Sequence, residues 1–67
     1  MNNINSKFKS NKGKSVTIIS GGFEGFTGII SDFFSATNMN GKIESGVTVK
    51  NKKGEKRDAF DFRIKLL

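Results

Sequence analysis

The residues best suited to chemistry lie in "GGFEGFTG", residues 21–28, where four glycines surround two phenylalanines and one acid. Glycine-rich loops cradle a phosphate on their backbone N–H groups when they lead into a helix, often with a lysine and a hydroxyl residue at the end. Here the loop leads into "IIS", and no Lys-Ser or Lys-Thr pair follows. The spacing therefore favours a turn between two strands, in which glycine adopts positive φ without steric cost.

The side chains of this loop have different predicted roles. We expect Phe26 to be a core residue, because aromatic burial dominates small cores. Phe23 lies nearer the tip of the turn, where an exposed ring can stack on an unpaired base or fill a pocket in a partner protein. Gly28 enters the next strand, where a missing side chain indicates a bend or a close approach of another backbone.

Positive charge is the second chemical feature, since 12 Lys and Arg residues stand against 6 Asp and Glu and give a net charge of +6. One group of cations surrounds "NKKGEK", residues 51–56, and consists of Lys50, Lys52, Lys53, Lys56 and Arg57. A second group is Lys12 and Lys14. Such patches suit a partner with phosphates, but lysines also protect a strand edge from aggregation. Glu55 and Asp58 interrupt the first group, so both interpretations stay open.

Catalysis has little support in the composition. The chain has no histidine and no cysteine, and its six carboxylates do not recur at the spacing of a paired acid and base. We expect no enzymatic activity, no cofactor and no metal. No stretch has the apolar length of a signal peptide or a membrane span, so the predicted location is the cytoplasm.

The elements that must position these residues are mainly strands. Residues 1–11, "MNNINSKFKSN", are polar, basic and aperiodic, which predicts a disordered arm. From residue 14 the apolar period is two: Val16 and Ile18 define a first strand, and residues 28–33 define a second, with an irregularity near Asp32. The only helical candidate in the middle of the chain is a weak single turn in residues 31–38.

The C-terminal half continues this pattern. Ile43, Val47 and Val49 share one face of a third strand, and a glycine-containing turn at residues 51–56 sends the chain back antiparallel. A tight helical turn around Asp61 and a last short strand follow, with core side chains supplied by Phe60, Phe62, Ile64 and Leu66. Short strands at this spacing predict a small β-barrel or sandwich.

With its flanks the glycine-rich loop reads "GKSVTIISGGFEGFTGII". Its spacing, V-x-I-x-x-G-x-F-x-G-F-x-G-x-I, resembles the KOW motif of ribosomal proteins and of the NusG family of transcription elongation factors. The similarity covers residues 12–66, through the strand "VTVK" and the closing "AFDFRIKLL". The resemblance implies a five-stranded SH3-like barrel over residues 12–67. It also implies a non-enzymatic module that contacts RNA or a nucleoprotein machine such as the ribosome or RNA polymerase.

The predicted binding residues combine the loop with the cations: Lys14, Phe23, Glu24, Lys50, Lys52, Lys53 and Arg57. Phe23 would stack or insert, Glu24 would accept a hydrogen bond at the turn, and the cations would neutralise phosphates. The alternative function is a small protein–protein adaptor that uses the same turn and an exposed strand edge. The abundance of Asn, Lys and Ile fits an AT-rich genome or a mobile element.

Overall fold

The computed structural model describes residues 6–67. Within this range the five strands are β1 (Ser15–Ile18), β2 (Thr27–Thr37), β3 (Ile43–Lys50), β4 (Lys56–Phe60) and β5 (Ile64–Leu66). They form one antiparallel sheet in the order β4-β3-β2-β1-β5. The all-β prediction is confirmed. The sheet is barrel-like but not closed, because β4 and β5 form its two edges and do not pair with each other.

The core lies against this sheet and receives side chains from every strand. Val16 and Ile18 alternate inward along β1, as do Val47 and Val49 along β3. The fully or nearly fully buried apolar residues are Phe8, Val16, Ile18, Ile30, Val47, Val49, Ala59 and Ile64. Phe26 and Phe33 are partly buried and pack against this cluster.

A β-bulge in β2 decides which phenylalanine faces the core. The pairing with β3 shifts between Ile30 and Asp32, so that Ser31 is the extra residue, and its hydroxyl donates to the Thr48 carbonyl at 3.1 Å. Without the extra residue, strict alternation from Ile30 would point Asp32 inward. With it, Phe33 packs on the core and Phe34 faces outward. The predicted irregularity near Asp32 is confirmed.

Several details of the predicted core are wrong. Phe60 is only partly buried and lies outside the core cluster. Phe62 is 55% exposed because it lies in the 3-10 turn Asp61–Arg63, which interrupts strand alternation. Leu66 is 42% exposed near the end of the edge strand β5. Ile43 is exposed because the β2–β3 hairpin extends past the core. The weak helical turn predicted for residues 31–38 is also wrong, since most of this segment continues β2.

The prediction of a disordered arm over residues 1–11 needs correction in its second half. Phe8 is only 6% exposed and belongs to the core. The Ser6 hydroxyl donates to Asp61 Oδ1 at 2.8 Å, and the backbone N–H of Lys7 donates to Asp61 Oδ2 at 3.0 Å. These bonds hold the segment against the 3-10 turn, so Phe8 reaches the interior. Residues 1–5 lie outside the described range.

The helical content of residues 6–67 is the single 3-10 turn Asp61–Arg63, which confirms the tight turn predicted around Asp61. No helix in this part of the chain has the length and apolar character needed to cross a membrane.

Candidate functional site

Two connections lie at the same end of the sheet: the β1–β2 loop (residues 19–26) and the β3–β4 turn (residues 51–55). The register shows this directly, because Ile29, near the start of β2, pairs with Lys50, the last residue of β3. The glycine-rich loop and the lysine-rich turn are therefore neighbours in space, although about 30 residues separate them in sequence. We call this end of the sheet the basic end.

The glycine-rich loop is a turn that leads into a strand. Gly21 and Gly25 have φ of 89° and 91°, in the left-handed region that favours glycine. The Gly25 N–H donates to the Ile18 carbonyl at 2.7 Å, and the Phe26 N–H donates to the Phe23 carbonyl at 3.0 Å. The loop runs directly into β2, as the sequence predicts.

Gly28 has the close backbone contact that was predicted for it. A Cβ atom at this position would collide with the Lys50 carbonyl oxygen and lie 2.6 Å from the Lys50 carbonyl carbon. Both of these atoms belong to the backbone, which cannot move aside as a flexible side chain can. The glycine therefore allows the end of β3 to approach the start of β2, and it keeps the two connections together.

Arg57 joins the two connections through its side chain. Its guanidinium carbon lies 5.5 Å from the centroid of the Phe23 ring and 5.3 Å from that of the Phe26 ring. Both distances fall within the range of a cation–π interaction. The Phe23 ring is 48% exposed, whereas Phe26 packs on the core. The structure thus combines an exposed aromatic ring with a guanidinium, two predicted site residues from different hairpins.

The lysine-rich turn is held by one asparagine. The Asn51 Oδ1 atom accepts the N–H groups of Lys53 and Glu55, both at 2.9 Å, and its Nδ2 donates to Glu55 Oε1 at 2.8 Å. Lys52 and Lys53 are exposed at the tip. Hydrogen bonds within the turn therefore fix its shape and leave both lysine side chains exposed.

Positive charges face each other at the base of this turn. Lys50 and Lys56 are directly paired across β3 and β4, and both are exposed. Like charges in directly opposite positions destabilise a sheet. An anion bound between them would relieve this repulsion.

The two acids near these cations accept hydrogen bonds from neutral groups. Glu55 accepts from the Asn51 amide, and Asp58 Oδ1 accepts from the Thr48 hydroxyl at 2.7 Å. Both carboxylates thus support the turn and the strand pair. Both carboxylates keep their charge, but the cations of this end outnumber its acids, so its net charge is positive.

Two predicted site residues lie apart from this arrangement. Lys14 is exposed just before β1, and its carbonyl accepts the Ile30 N–H at 3.1 Å, which places it across β2 from β3. Glu24 was expected to accept a hydrogen bond through its carboxylate, but it contributes its backbone N–H, which donates to the Gly21 carbonyl at 3.3 Å. The group that the structure brings together is therefore Phe23, Lys50, Lys52, Lys53 and Arg57.

Sequence reasoning missed a row of aromatic rings on the outer face. The Phe34 and Phe60 centroids are 5.6 Å apart, and Phe60 stacks on Phe62 at 5.9 Å with 8° between the ring planes. The Arg63 guanidinium carbon lies 5.0 Å from the Phe62 centroid. We call these three rings the aromatic row. The bulge near Asp32, which turns Phe34 outward, was the signal that could have indicated it.

A cleft of about 370 Å³ connects the basic end with the aromatic row. It lies between β4 and the β1–β2 loop, where the sheet does not close, and we call it the seam cleft. Its lining includes the buried residues Ile18 and Ala59, and also Phe23, Phe34, Phe60 and Arg63. Arg63 Nη1 donates to the Ser20 hydroxyl at 3.2 Å, which holds the guanidinium beside the loop.

No family model, curated protein or solved structure matches this chain. The similarity to the KOW motif therefore stays a prediction that rests on the quoted residues.

Proposed function

We propose that this domain is a non-enzymatic module that binds single-stranded RNA, either free or within a nucleoprotein machine. The observation that carries the proposal is the position of Arg57, which stacks on the exposed Phe23 ring at the basic end. Proteins that bind single strands combine aromatic platforms for bases with a cationic track for the backbone. Both parts are present here, side by side.

The cations supply the electrostatic part of this function. Lys52 and Lys53 are exposed on a turn that Asn51 holds in place, and Lys50 faces Lys56 across the strand pair. Ammonium groups that neutralise phosphates release counterions and add affinity without regard to sequence. The repulsion between the paired lysines adds a reason for an anionic partner to bind at this end.

The aromatic rings supply the base contacts. Phe23 is half-exposed at the basic end, and Phe62 is 55% exposed at the far end of the aromatic row. The guanidinium carbon of Arg57 lies 5.5 Å from the Phe23 centroid, and that of Arg63 lies 5.0 Å from the Phe62 centroid. A strand that crosses the seam would meet a ring and a guanidinium at both ends, which suits a chain of bases and phosphates.

Titration of a fluorescently labelled oligouridylate tests the proposal. We expect micromolar affinity at low salt, and a plot of log affinity against log salt with a slope of about −2 to −4, which corresponds to three to five phosphate contacts on a single strand. Absence of binding at about 20 mM salt, where screening is weak, contradicts the proposal.

The adaptor function remains the second candidate because of one different surface. Met39, Ile43 and Phe62 are exposed apolar side chains around the β2–β3 hairpin, at the opposite end of β2 from the basic end. Exposed apolar groups that cluster in this way are typical of protein contacts. The same titration separates the two functions, since an adaptor of this kind predicts no salt-dependent affinity for RNA.

A further inference from the structure

The seam cleft differs from the rest of the proposed RNA surface because it is concave and apolar. Ile18 and Ala59, which line it, are 1% and 6% exposed, and Phe23, Phe34 and Phe60 contribute aromatic carbon. Its volume of about 370 Å³ is near the lower end of the range for small-molecule sites, about 300–1,000 Å³. This size suits one planar ring system and is too small for a folded partner.

Two arginines lie near this cleft. Arg63 lines it and is held to Ser20, and Arg57 stacks on Phe23, which also lines it. An occupant with an apolar, planar centre and neighbouring negative charges is complementary to this arrangement. A nucleotide within a single strand has that distribution, because phosphates flank each base.

We propose that the seam cleft receives one unstacked base of the bound single strand and prefers guanine. The inference rests on the RNA-binding function proposed above and names the subsite that gives it base preference. Aromatic contact alone tolerates every base. Preference must therefore come from a polar group in the lining.

We assign that role to Asp58, the one acidic residue among the described residues that line the cleft, since the polar side chains of Ser20 and Arg63 are hydrogen-bonded to each other. Its Oδ1 atom already accepts the Thr48 hydroxyl at 2.7 Å, which orients the carboxylate and leaves Oδ2 as a further acceptor. An ionised carboxylate accepts hydrogen bonds and offers no donor. Guanine presents two adjacent N–H donors on its Watson–Crick edge, whereas uracil presents one.

The test uses three labelled oligouridylates of about eight nucleotides, within the usual site size for such proteins. The central position carries uracil, guanine or an abasic sugar. We expect the abasic strand to bind about tenfold more weakly than the uracil strand. This loss of affinity lies in the lower half of the range measured for removal of one base–aromatic stack. The guanine strand should bind more tightly than both.

Asp58→Asn and Phe60→Leu are the matched variants. Asp58→Asn retains the shape and adds a donor, so the preference for guanine over uracil should disappear while the abasic strand stays weakest. Phe60→Leu keeps an apolar side chain and removes the ring, so the difference between the uracil and abasic strands should shrink. Leu67→Ala is the control, because Leu67 is an exposed apolar residue outside the lining of this cleft and outside the aromatic row.

The outcomes separate this subsite from the general function. Salt-dependent binding with equal affinities for the three strands overturns the subsite and keeps the RNA-binding function. Equal affinities for guanine and uracil, or a preference for guanine that survives in Asp58→Asn, overturn the subsite as well. No binding of any strand at about 20 mM salt overturns both.

Discussion

The guanidinium of Arg57 and the ring of Phe23 lie 5.5 Å apart, although they belong to different hairpins. Arg57 Nη1 also donates to the Lys56 carbonyl at 2.7 Å, so both this hydrogen bond and the Phe23 ring hold the guanidinium. A guanidinium stacked on a ring keeps its N–H edge available for phosphate oxygens. This contact holds the Phe23 ring beside the lysine-rich turn.

Phe23→Ala should weaken RNA binding and leave the fold nearly unchanged. The ring is 48% exposed, so its removal costs little core packing. We expect the binding free energy to fall by about 1–3 kcal/mol, the usual contribution of one base–aromatic stack. Fluorescence anisotropy measures the affinity, and thermal unfolding followed by circular dichroism measures the stability.

Phe26→Ala is the matched control for that substitution. Phe26 contacts the same guanidinium but packs on the core, so its loss should destabilise the domain by about 3 kcal/mol. If Phe23→Ala lowers the melting temperature as much as Phe26→Ala does, both rings are structural and the site must lie on the lysine-rich turn.

Replacement of Lys52 and Lys53 by alanine should lower affinity for every RNA sequence equally. Both side chains are exposed, and the bonds that hold their turn involve backbone atoms and Asn51. Two lost phosphate contacts should reduce the steepness of the salt dependence by about 1.4, since each contact on a single strand contributes about 0.7. The control is Lys9→Ala, an exposed lysine outside the basic end. An unchanged slope in the double variant excludes these lysines from the site.

Arg57→Lys should separate stacking from charge. Lysine retains the positive charge but lacks the planar group that stacks on Phe23 and reaches phosphate with a fork of donors. We expect affinity to fall several-fold while the slope of log affinity against log salt stays within experimental error. A lysine variant with full affinity would show that only the charge at position 57 matters.

The sequence predicted the strands well because alternation is a local property. Val16, Ile18, Val47 and Val49 lie on the core side as their period of two indicates, and the irregularity near Asp32 is a real bulge. Exposure at the ends of elements was harder to predict. The exposure of Ile43 depends on how far the β2–β3 hairpin extends past the core. The alternation of apolar residues within a strand does not indicate how far the hairpin extends.

The site was only partly predictable for a related reason. The residue types at positions 23 and 57 indicated an aromatic contact and a cation, but their proximity depends on the register of three strand pairs. The aromatic row depends on pairing in the same way, since Gly46 lies between Phe34 and Phe60 and leaves space for the Phe34 ring.

Gly28→Val should destabilise the domain whether or not RNA is present. The new side chain would collide with the backbone of Lys50, and forcing an added group into a packed site costs about 1–3 kcal/mol. Gly22→Ala is the control, because an added Cβ there meets open space and the backbone needs no positive φ. Chemical denaturation measures both changes. Equal stabilities of the two variants would contradict the close approach of β3 to β2.

Phe8→Ala tests whether the segment before β1 belongs to the folded domain. The ring is 6% exposed and packs with the core, so its truncation should cost about 3–5 kcal/mol, enough to unfold much of a domain this small. Asp61→Asn removes the charge that accepts the Ser6 hydroxyl and the Lys7 N–H, and should cost about 1–3 kcal/mol by weakening two charge-assisted bonds. Lys9→Ala, on the exposed side of the same segment, should change stability by less than about 0.5 kcal/mol. A Phe8→Ala protein as stable as Lys9→Ala would restore the sequence-based prediction that the arm extends to residue 11.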